Sequence, residues 1–236
     1  MDDEFEDEVF SEDDDEAEDE FLSGDDGDDW RPTLLHPNVN HHHNTHVSEC
    51  EQGKRPEDSE FHPTPEDIAL VRSSLPLPPE LVTQILDLAG YWALSRATRS
   101  DPTCSTFRDA NARFLRSSPI QGGEFTHPLR RVVITTDSKD QGWSSYRETQ
   151  GTREGSWTWF ELSLDDGGAD YEMARVEIVR NIHAGQRFEK YRAVIEDERI
   201  LKQAKKGDRL SVWVRAMYPG WVNSVQSVEI EIWSAC

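Results

Sequence analysis

The chain has few of the features that mark secreted, membrane-spanning or disulfide-bonded proteins. It contains 3 cysteines, Cys50, Cys104 and Cys236, an odd number at wide spacing, which favours free thiols in a reducing compartment. It has no apolar run of about 18 residues to span a bilayer and no Asn-x-Ser/Thr sequon. Its acidic start is unlike a secretory signal, which needs a basic beginning and an apolar core. We therefore expect a cytoplasmic or nuclear protein without membrane insertion.

Apolar residues are also scarce. They make up 35% of the chain against 31% charged residues, which is lean for a fully globular protein. The first thirty residues contain eighteen Asp and Glu and no Lys or Arg, so most of the net charge of -22 belongs to this segment. Residues 31–74 then show no periodic apolar pattern. Because such sequence cannot bury enough apolar surface to offset its ordering entropy, we expect 1–74 to be a disordered acidic and polar tail.

The acidity also limits the partners. A sequence pI near 4.6 disfavours nucleic acid. A histidine tract in the tail, His41, His42, His43 and His46, carries imidazoles that can ligate transition metals. Since a disordered tract gives them no fixed geometry, we assign no metal and no cofactor.

One or two helices are expected between the tail and the strands. Pro79 and Glu80 suit the first turn of a helix, and Gly90 suits its end. Apolar side chains on this helix fall at spacings of four and three and need a partner surface; they are Leu81, Ile85 and Leu88. A second helix is predicted at 104–115. Residues 75–118 are therefore expected to be a helical segment.

Beyond Gly123 the apolar period changes to two, which is typical of strands. Six runs have this character: 131–136, 157–164, 174–182, 189–196, 209–217 and 227–233. Short connections without long crossovers favour antiparallel pairing. We predict a mainly β protein, with an antiparallel β-sandwich or jelly roll at 119–236.

Strand alternation sorts the side chains into core and outer faces. The predicted core faces are Phe160, Leu162 and Leu164; Ala174, Val176 and Ile178; Leu210, Val212 and Val214; and Val228, Ile230 and Ile232. Trp157, Trp159 and Trp213 fall on outer faces among charged residues. The favoured explanation is structural: the helix at 79–89 docks over these tryptophans. The alternative is that they are exposed and hold a ligand.

The connection between residues 137 and 156 is the strongest functional candidate, because it is longer than usual connections in compact domains. It combines aromatic and hydrogen-bonding groups, which suit a protein, peptide or glycan ligand; its candidates are Asp140, Gln141, Trp143, Ser144 and Tyr146. His183 and Trp221 lie in two other loops that can join it at one end of the sandwich. The alternative is a loop that packs over the sandwich end with Trp143 as its plug.

Signals for catalysis are weak. Gly142-Trp143-Ser144 begins like a nucleophile elbow, but Tyr146 replaces the final glycine and the strand-turn-helix context is missing. A hydrolase or glycan-modifying enzyme that uses Asp140, Ser144 or His183 is kept as an alternative. We predict a non-enzymatic interaction module.

Two segments resemble known families. The helix segment LPPELVTQILDL, from Leu77 to Leu88, is similar to the opening helix of an F-box. The blocks DQGWSSY, GSWTWFE, NIHAG and GDRLSVWVRAMYPGWVN resemble a β-sandwich domain of uncharacterised fungal proteins that often carry such a helix in front. The resemblance covers residues 75–236. It implies a β-sandwich and, as an alternative function, a substrate adaptor that binds a ubiquitin ligase through the helix; it implies no activity and no site residues.

Overall fold

The computed structural model describes residues 62–122, 127–166 and 172–235, so most of the predicted tail, with its histidine tract, lies outside the described residues. The helices are α1 (Pro65–Ser74), α2 (Pro79–Leu88) and α3 (Glu198–Leu201), and a 3-10 turn covers Arg147–Thr149. The strands are β1 (Ala93–Arg108), β2 (Ala110–Arg116), β3 (Leu129–Lys139), β4 (Thr158–Asp165), β5 (Glu172–Arg180), β6 (Glu189–Ile195), β7 (Arg209–Ala216) and β8 (Val222–Ser234).

The strands form two antiparallel four-stranded sheets. Sheet 1 has the order β1-β8-β3-β6, and sheet 2 has the order β2-β7-β4-β5. Side chains of both sheets share one buried core. The predicted antiparallel β-sandwich is confirmed, with a strand at each of the six predicted runs. The predicted core side chains that the structure describes are buried: Phe160, Leu162, Leu164, Val176, Ile178, Leu210, Val212, Val214, Val228, Ile230 and Ile232.

The two strands before β3 differ from the prediction. The expected helix at 104–115 is wrong, because β1 continues to Arg108 and β2 begins at Ala110. Asp109 between them has φ 43°, a left-handed conformation that breaks the extended chain and lets it pass from sheet 1 to sheet 2. Much of the predicted helical segment 75–118 therefore belongs to the sandwich, which begins at Ala93 and not at residue 119.

The end of the predicted tail is ordered as helix α1, so the expected disorder is wrong at 65–74. A capping box explains the helix start: the Asp67 N–H donates to Thr64 Oγ1 at 3.2 Å, and the Thr64 N–H donates to Asp67 Oδ2 at 2.9 Å. The bond from the Thr64 backbone, together with that from its hydroxyl, holds the pKa of Asp67 below its usual range. Ile68 gives this helix a buried contact.

Helix α2 packs on α1. Val82 and Leu86 are buried with Ile68. The apolar side chains that were predicted to contact a partner surface form an exposed stripe on α2 instead: Leu81, Ile85 and Leu88. Asp87 ties α2 to β3, because Arg130 donates to it from Nε at 2.7 Å and from Nη2 at 3.0 Å. The hydrogen bonds from Arg130 are the main cause that lowers the pKa of Asp87 below its usual range.

Arginines, and not α2, cover the tryptophans on the outer face of sheet 2, so that expectation is wrong. The guanidinium groups of Arg180 and Arg215 lie 4.8 and 5.3 Å from the Trp159 ring centre, and Trp159 is only 6% exposed. Arg175 lies 4.1 Å from the Trp213 ring centre. The register explains this cover, since Arg180 and Arg215 are the direct cross-strand partners of Trp159.

Candidate functional site

Four connections meet at one end of the sandwich: β1–β2, β3–β4, β5–β6 and β7–β8. The register places them side by side, as the pairs Arg108–Val222, Ser138–Glu189 and Thr158–Ala216 show. We name this surface the loop end and define it as residues 109, 140–157, 181–188 and 217–221. The structure thus brings the long connection together with the loops that carry His183 and Trp221.

Backbone hydrogen bonds join the long connection to its neighbours. The His183 N–H donates to the Thr152 carbonyl at 2.7 Å, and the Gly151 N–H donates to the His183 carbonyl at 3.0 Å. The Met217 N–H donates to the Trp157 carbonyl at 3.0 Å. Because each bond joins two different connections, the loops constrain one another, and a ligand would find them already arranged.

A layer of buried polar side chains lies beneath the loop end. Asn181 donates from Nδ2 to Thr158 Oγ1 and to Asn223 Oδ1, both at 3.0 Å. Its Oδ1 accepts a hydrogen bond from Ser138 Oγ at 2.8 Å. Asn223 Nδ2 donates in turn to the Arg215 carbonyl at 3.2 Å. The two buried amides are therefore hydrogen-bonded, as burial requires, and they link strands of both sheets.

Asp140 begins the long connection, and its carboxylate faces the interior. Oδ2 accepts from the Ala184 N–H at 2.9 Å, and Oδ1 accepts from Thr158 Oγ1 at 3.2 Å. Burial raises the pKa of Asp140, although these hydrogen bonds and nearby His183 oppose the shift. The carboxylate thus holds the β3–β4 connection against the β5–β6 connection.

His183 is fully buried as well. Its Nδ1 lies 2.8 Å from Thr149 Oγ1, and its ring centre lies 5.3 Å from that of Trp221. Its Nε2 has no hydrogen-bond partner in the described part of the chain. In this part of the chain neither Asp140 nor Ser144 is hydrogen-bonded to His183, so the three candidates for catalysis do not form a relay.

The exposed tyrosines and tryptophans of the described residues all lie at the loop end. They are Trp143 (66% exposed), Tyr146 (56%), Trp157 (37%) and Tyr218 (49%). Tyr218 and Trp157 contact each other edge to face, with ring centres 4.8 Å apart. Trp143 lies beside the β7–β8 turn, 3.9 Å from the point that a Cβ on Gly220 would occupy. Trp157, which was expected beneath α2, belongs to this exposed group.

Strained backbone is concentrated at the same end. Asp109, Ala184 and Tyr218 have positive φ angles of 43°, 57° and 71°. The other such non-glycine residue of the described part, Cys104 with φ 68°, lies in an irregular segment of β1. Each of these conformations costs roughly 1 kcal/mol for a residue with a Cβ, and such strain is typical of functional sites.

Comparison with known proteins leaves the site to be interpreted from its own geometry. No family model matches the chain, and no curated protein matches it. Among solved structures, the crystal structure of a serine protease of Aeromonas sobria is similar over 65% of this chain and 30% of that chain, with 7% identity and a TM-score of 0.35. The likeness is too slight to carry an argument about fold or activity.

The predicted ligand-binding residues divide into two groups. Five are exposed or half-buried: Gln141, Trp143, Ser144, Tyr146 and Trp221. Asp140 and His183 are fully buried and position the loops. Sequence reasoning missed Tyr218 as a site residue, although the Pro-Gly turn that follows it is a readable signal, and it missed the Asn181–Asn223 pair, for which the sequence carries no local signal.

The described residues add no sign of a metal centre or of a membrane span. They hold no group of three or more His, Cys, Asp or Glu side chains placed to ligate a metal. None of their helices is long and apolar enough to cross a bilayer. Cys104 is a free thiol.

Proposed function

We propose that the chain is a non-enzymatic binding module whose loop end holds a glycan. The observation that carries the proposal is the collection of exposed tyrosine and tryptophan side chains at the loop end. Exposed apolar side chains that cluster into one patch generally mark an interaction site. Sugars present an apolar face of C–H groups surrounded by hydroxyls, so they suit flat aromatic rings beside hydrogen-bonding groups.

Two glutamine side chains bind the backbone at Trp143 and Ser144. Gln141 Nε2 donates to the Trp143 carbonyl at 2.9 Å, and Gln150 Nε2 donates to the Ser144 carbonyl at 2.8 Å. These bonds constrain the backbone that carries the Trp143 side chain. Gln150 is exposed, so its amide oxygen is within reach of ligand hydroxyls.

The buried residues support binding over catalysis. A general base must reach the proton that it removes, and Asp140 and His183 are both fully buried. Asp140 uses both carboxylate oxygens to hold Ala184 and Thr158. We assign these two residues to the positioning of the loops.

An array of glycans and peptides probed with the full chain tests the proposal. Trp143→Ala is expected to weaken glycan binding about tenfold or more, because it removes the most exposed aromatic ring of the loop end. Leu88→Ala is the matched control, since Leu88 is 90% exposed on α2. Glycan binding that survives Trp143→Ala unchanged, or an array that shows only peptide binding, would contradict the proposal.

A second candidate function uses α2. Its exposed stripe favours contact with a protein, and the F-box-like sequence points to a ubiquitin-ligase adaptor; the stripe is Leu81, Ile85 and Leu88. However, the chain passes from α2 directly into β1, which does not continue an F-box. Co-precipitation with the adaptor tests this candidate: failure to recover this chain, when a true F-box protein is recovered, removes it.

A further inference from the structure

We infer that the loop end takes an uncharged oligosaccharide, with one sugar on Trp143 and another on the Trp157–Tyr218 pair. The inference rests on the proposed glycan binding. Beyond glycan binding, it specifies two stacking positions for sugars and a ligand without charge. Both follow from the β7–β8 turn, residues 217–221, and from the charges around it.

Two exposed aromatic groups flank this turn. Tyr218 contacts Trp157 with ring centres 4.8 Å apart and ring planes at 83°. In such a pair the edge of one ring covers only one face of the other, and both side chains keep exposed surface for stacking, 37% for Trp157 and 49% for Tyr218. Trp143 approaches Gly220, whose Cα lies at most about 8 Å from that of Tyr218 along the chain. Trp143 and the Trp157–Tyr218 pair therefore lie at the same turn, so one oligosaccharide can contact both.

The turn is held in the conformation that presents both groups. Tyr218 has φ 71° and Gly220 has φ 91°. The backbone hydrogen bond from the Met217 N–H to the Trp157 carbonyl holds the start of the turn next to Trp157. The ring contact between Tyr218 and Trp157 and the backbone bond beside it are therefore formed before any ligand binds, which lowers the ordering cost of binding.

Charges at the loop end are balanced. The loop end contains three arginines, Arg147, Arg153 and Arg187, and outside the buried Asp140 it contains three carboxylates, Asp109, Glu148 and Glu154. Arg153 also lies 4.9 Å from the Tyr191 ring centre, and Asp140 is buried. A glycan with carboxylate or sulfate groups needs surplus cations at its site, so this balance favours an uncharged ligand.

Isothermal titration of the full chain with cello-, chito- and malto-oligosaccharides, from monosaccharide to hexasaccharide, tests the inference. In at least one series the affinity is expected to rise about tenfold with length, because a longer sugar reaches the second stacking position. Trp157→Ala and Tyr218→Ala are both expected to remove this rise, whereas Leu88→Ala keeps it. Near-ultraviolet circular dichroism checks that each variant is folded. Oligogalacturonides, which carry carboxylates, are expected to bind more weakly.

Each contrary result has its own meaning. A flat length profile with binding still lost in Trp143→Ala overturns the second stacking position and leaves the proposed function standing. Tighter binding of oligogalacturonides overturns the uncharged ligand. Absence of binding in all three series overturns the inference, and the glycan array then decides whether the proposed function survives.

Discussion

The side-chain amide of Asn181 donates a hydrogen bond to Asn223 Oδ1 at 3.0 Å. Asn181 follows β5 of sheet 2, and Asn223 lies in β8 of sheet 1, so the bond crosses the sandwich. Both residues are fully buried. The loop end is therefore anchored by a polar link between the sheets, which fixes where its connections begin.

Asn181→Ala is expected to destabilise the protein by about 3 kcal/mol, because it leaves the buried Ser138 hydroxyl and Asn223 Oδ1 without their partner and removes one hydrogen bond of Thr158. Urea denaturation followed by tryptophan fluorescence measures the loss. Gln150→Ala, which removes one hydrogen bond of an exposed amide, is the control and is expected to cost about 0.5 kcal/mol. Equal losses in the two variants would argue against the anchoring role.

Arg130→Met is expected to loosen α2 from β3 at neutral pH, at a cost of about 1–2 kcal/mol, because two charge-assisted hydrogen bonds are lost at a partly exposed site. The pKa of Asp87 is lowered by Arg130, so this stability is present above the ordinary value of 3.8 and is lost as pH falls through the folded-state pKa.

Hydrogen exchange of α1 and α2 across pH measures this effect. Wild type and Arg130→Met should differ at neutral pH, and the difference should shrink as pH falls through the lowered folded-state pKa of Asp87. Arg96→Met is the control, since it removes an ion pair with Glu231 in which Arg96 is half exposed. A constant difference across the whole pH range would contradict the role of the Asp87 carboxylate.

Tyr191 is expected to make the protein sensitive to alkali. Burial, with Glu189 nearby, raises the pKa of Tyr191 from 10.0 to about 12. The folded state thus favours the neutral phenol, and this stability is complete below about pH 10 and is lost as pH rises toward 12. At about pH 11 wild type should have lost about 1.4 kcal/mol relative to Tyr191→Phe. Urea denaturation of both proteins measures it, and parallel pH profiles would contradict it.

Ala184→Gly is expected to stabilise the protein by up to about 1 kcal/mol, because glycine relieves the positive φ of 57° at this position. Part of this stabilisation is lost, because glycine also raises the conformational entropy of the unfolded chain. The backbone bond from residue 184 to Asp140 remains. Thermal denaturation measures the change, with the buried strand variant Ala193→Gly as a destabilised control. A destabilised Ala184→Gly protein would show that this backbone is not strained.

Strands β3 to β8 could be predicted because each turns one apolar face to the shared core. In β4, for example, Phe160, Leu162 and Leu164 alternate with polar or outward-facing residues. The sequence therefore shows both the two-residue period of a strand and the side chains that face the core. The loop end was readable from the length of one connection and from a Pro-Gly turn. Helix α1 also carries a readable signal, the Thr64–Asp67 capping box, which the composition of the preceding tail obscured.

Strands β1 and β2 could not be predicted from local pattern. In β1 only Ala93 is buried, so no apolar alternation marks the strand. Its pairing with β8 depends on residues far along the chain. The cover over Trp159 has the same origin: it comes from Arg180 and Arg215 on neighbouring strands, and only the register brings them there.

β1 is an edge strand of sheet 1 and β2 is an edge strand of sheet 2. This limits how far the chain can be truncated from its N-terminal side. A fragment that begins at residue 119 would lack both strands and leave the backbone groups of β8 and β7 unpaired. Unpaired strand edges recruit other chains and promote aggregation. In a series of N-terminal deletions, self-association should therefore appear once the cut passes Ala93, even though every residue of the loop end beyond β2 is still present.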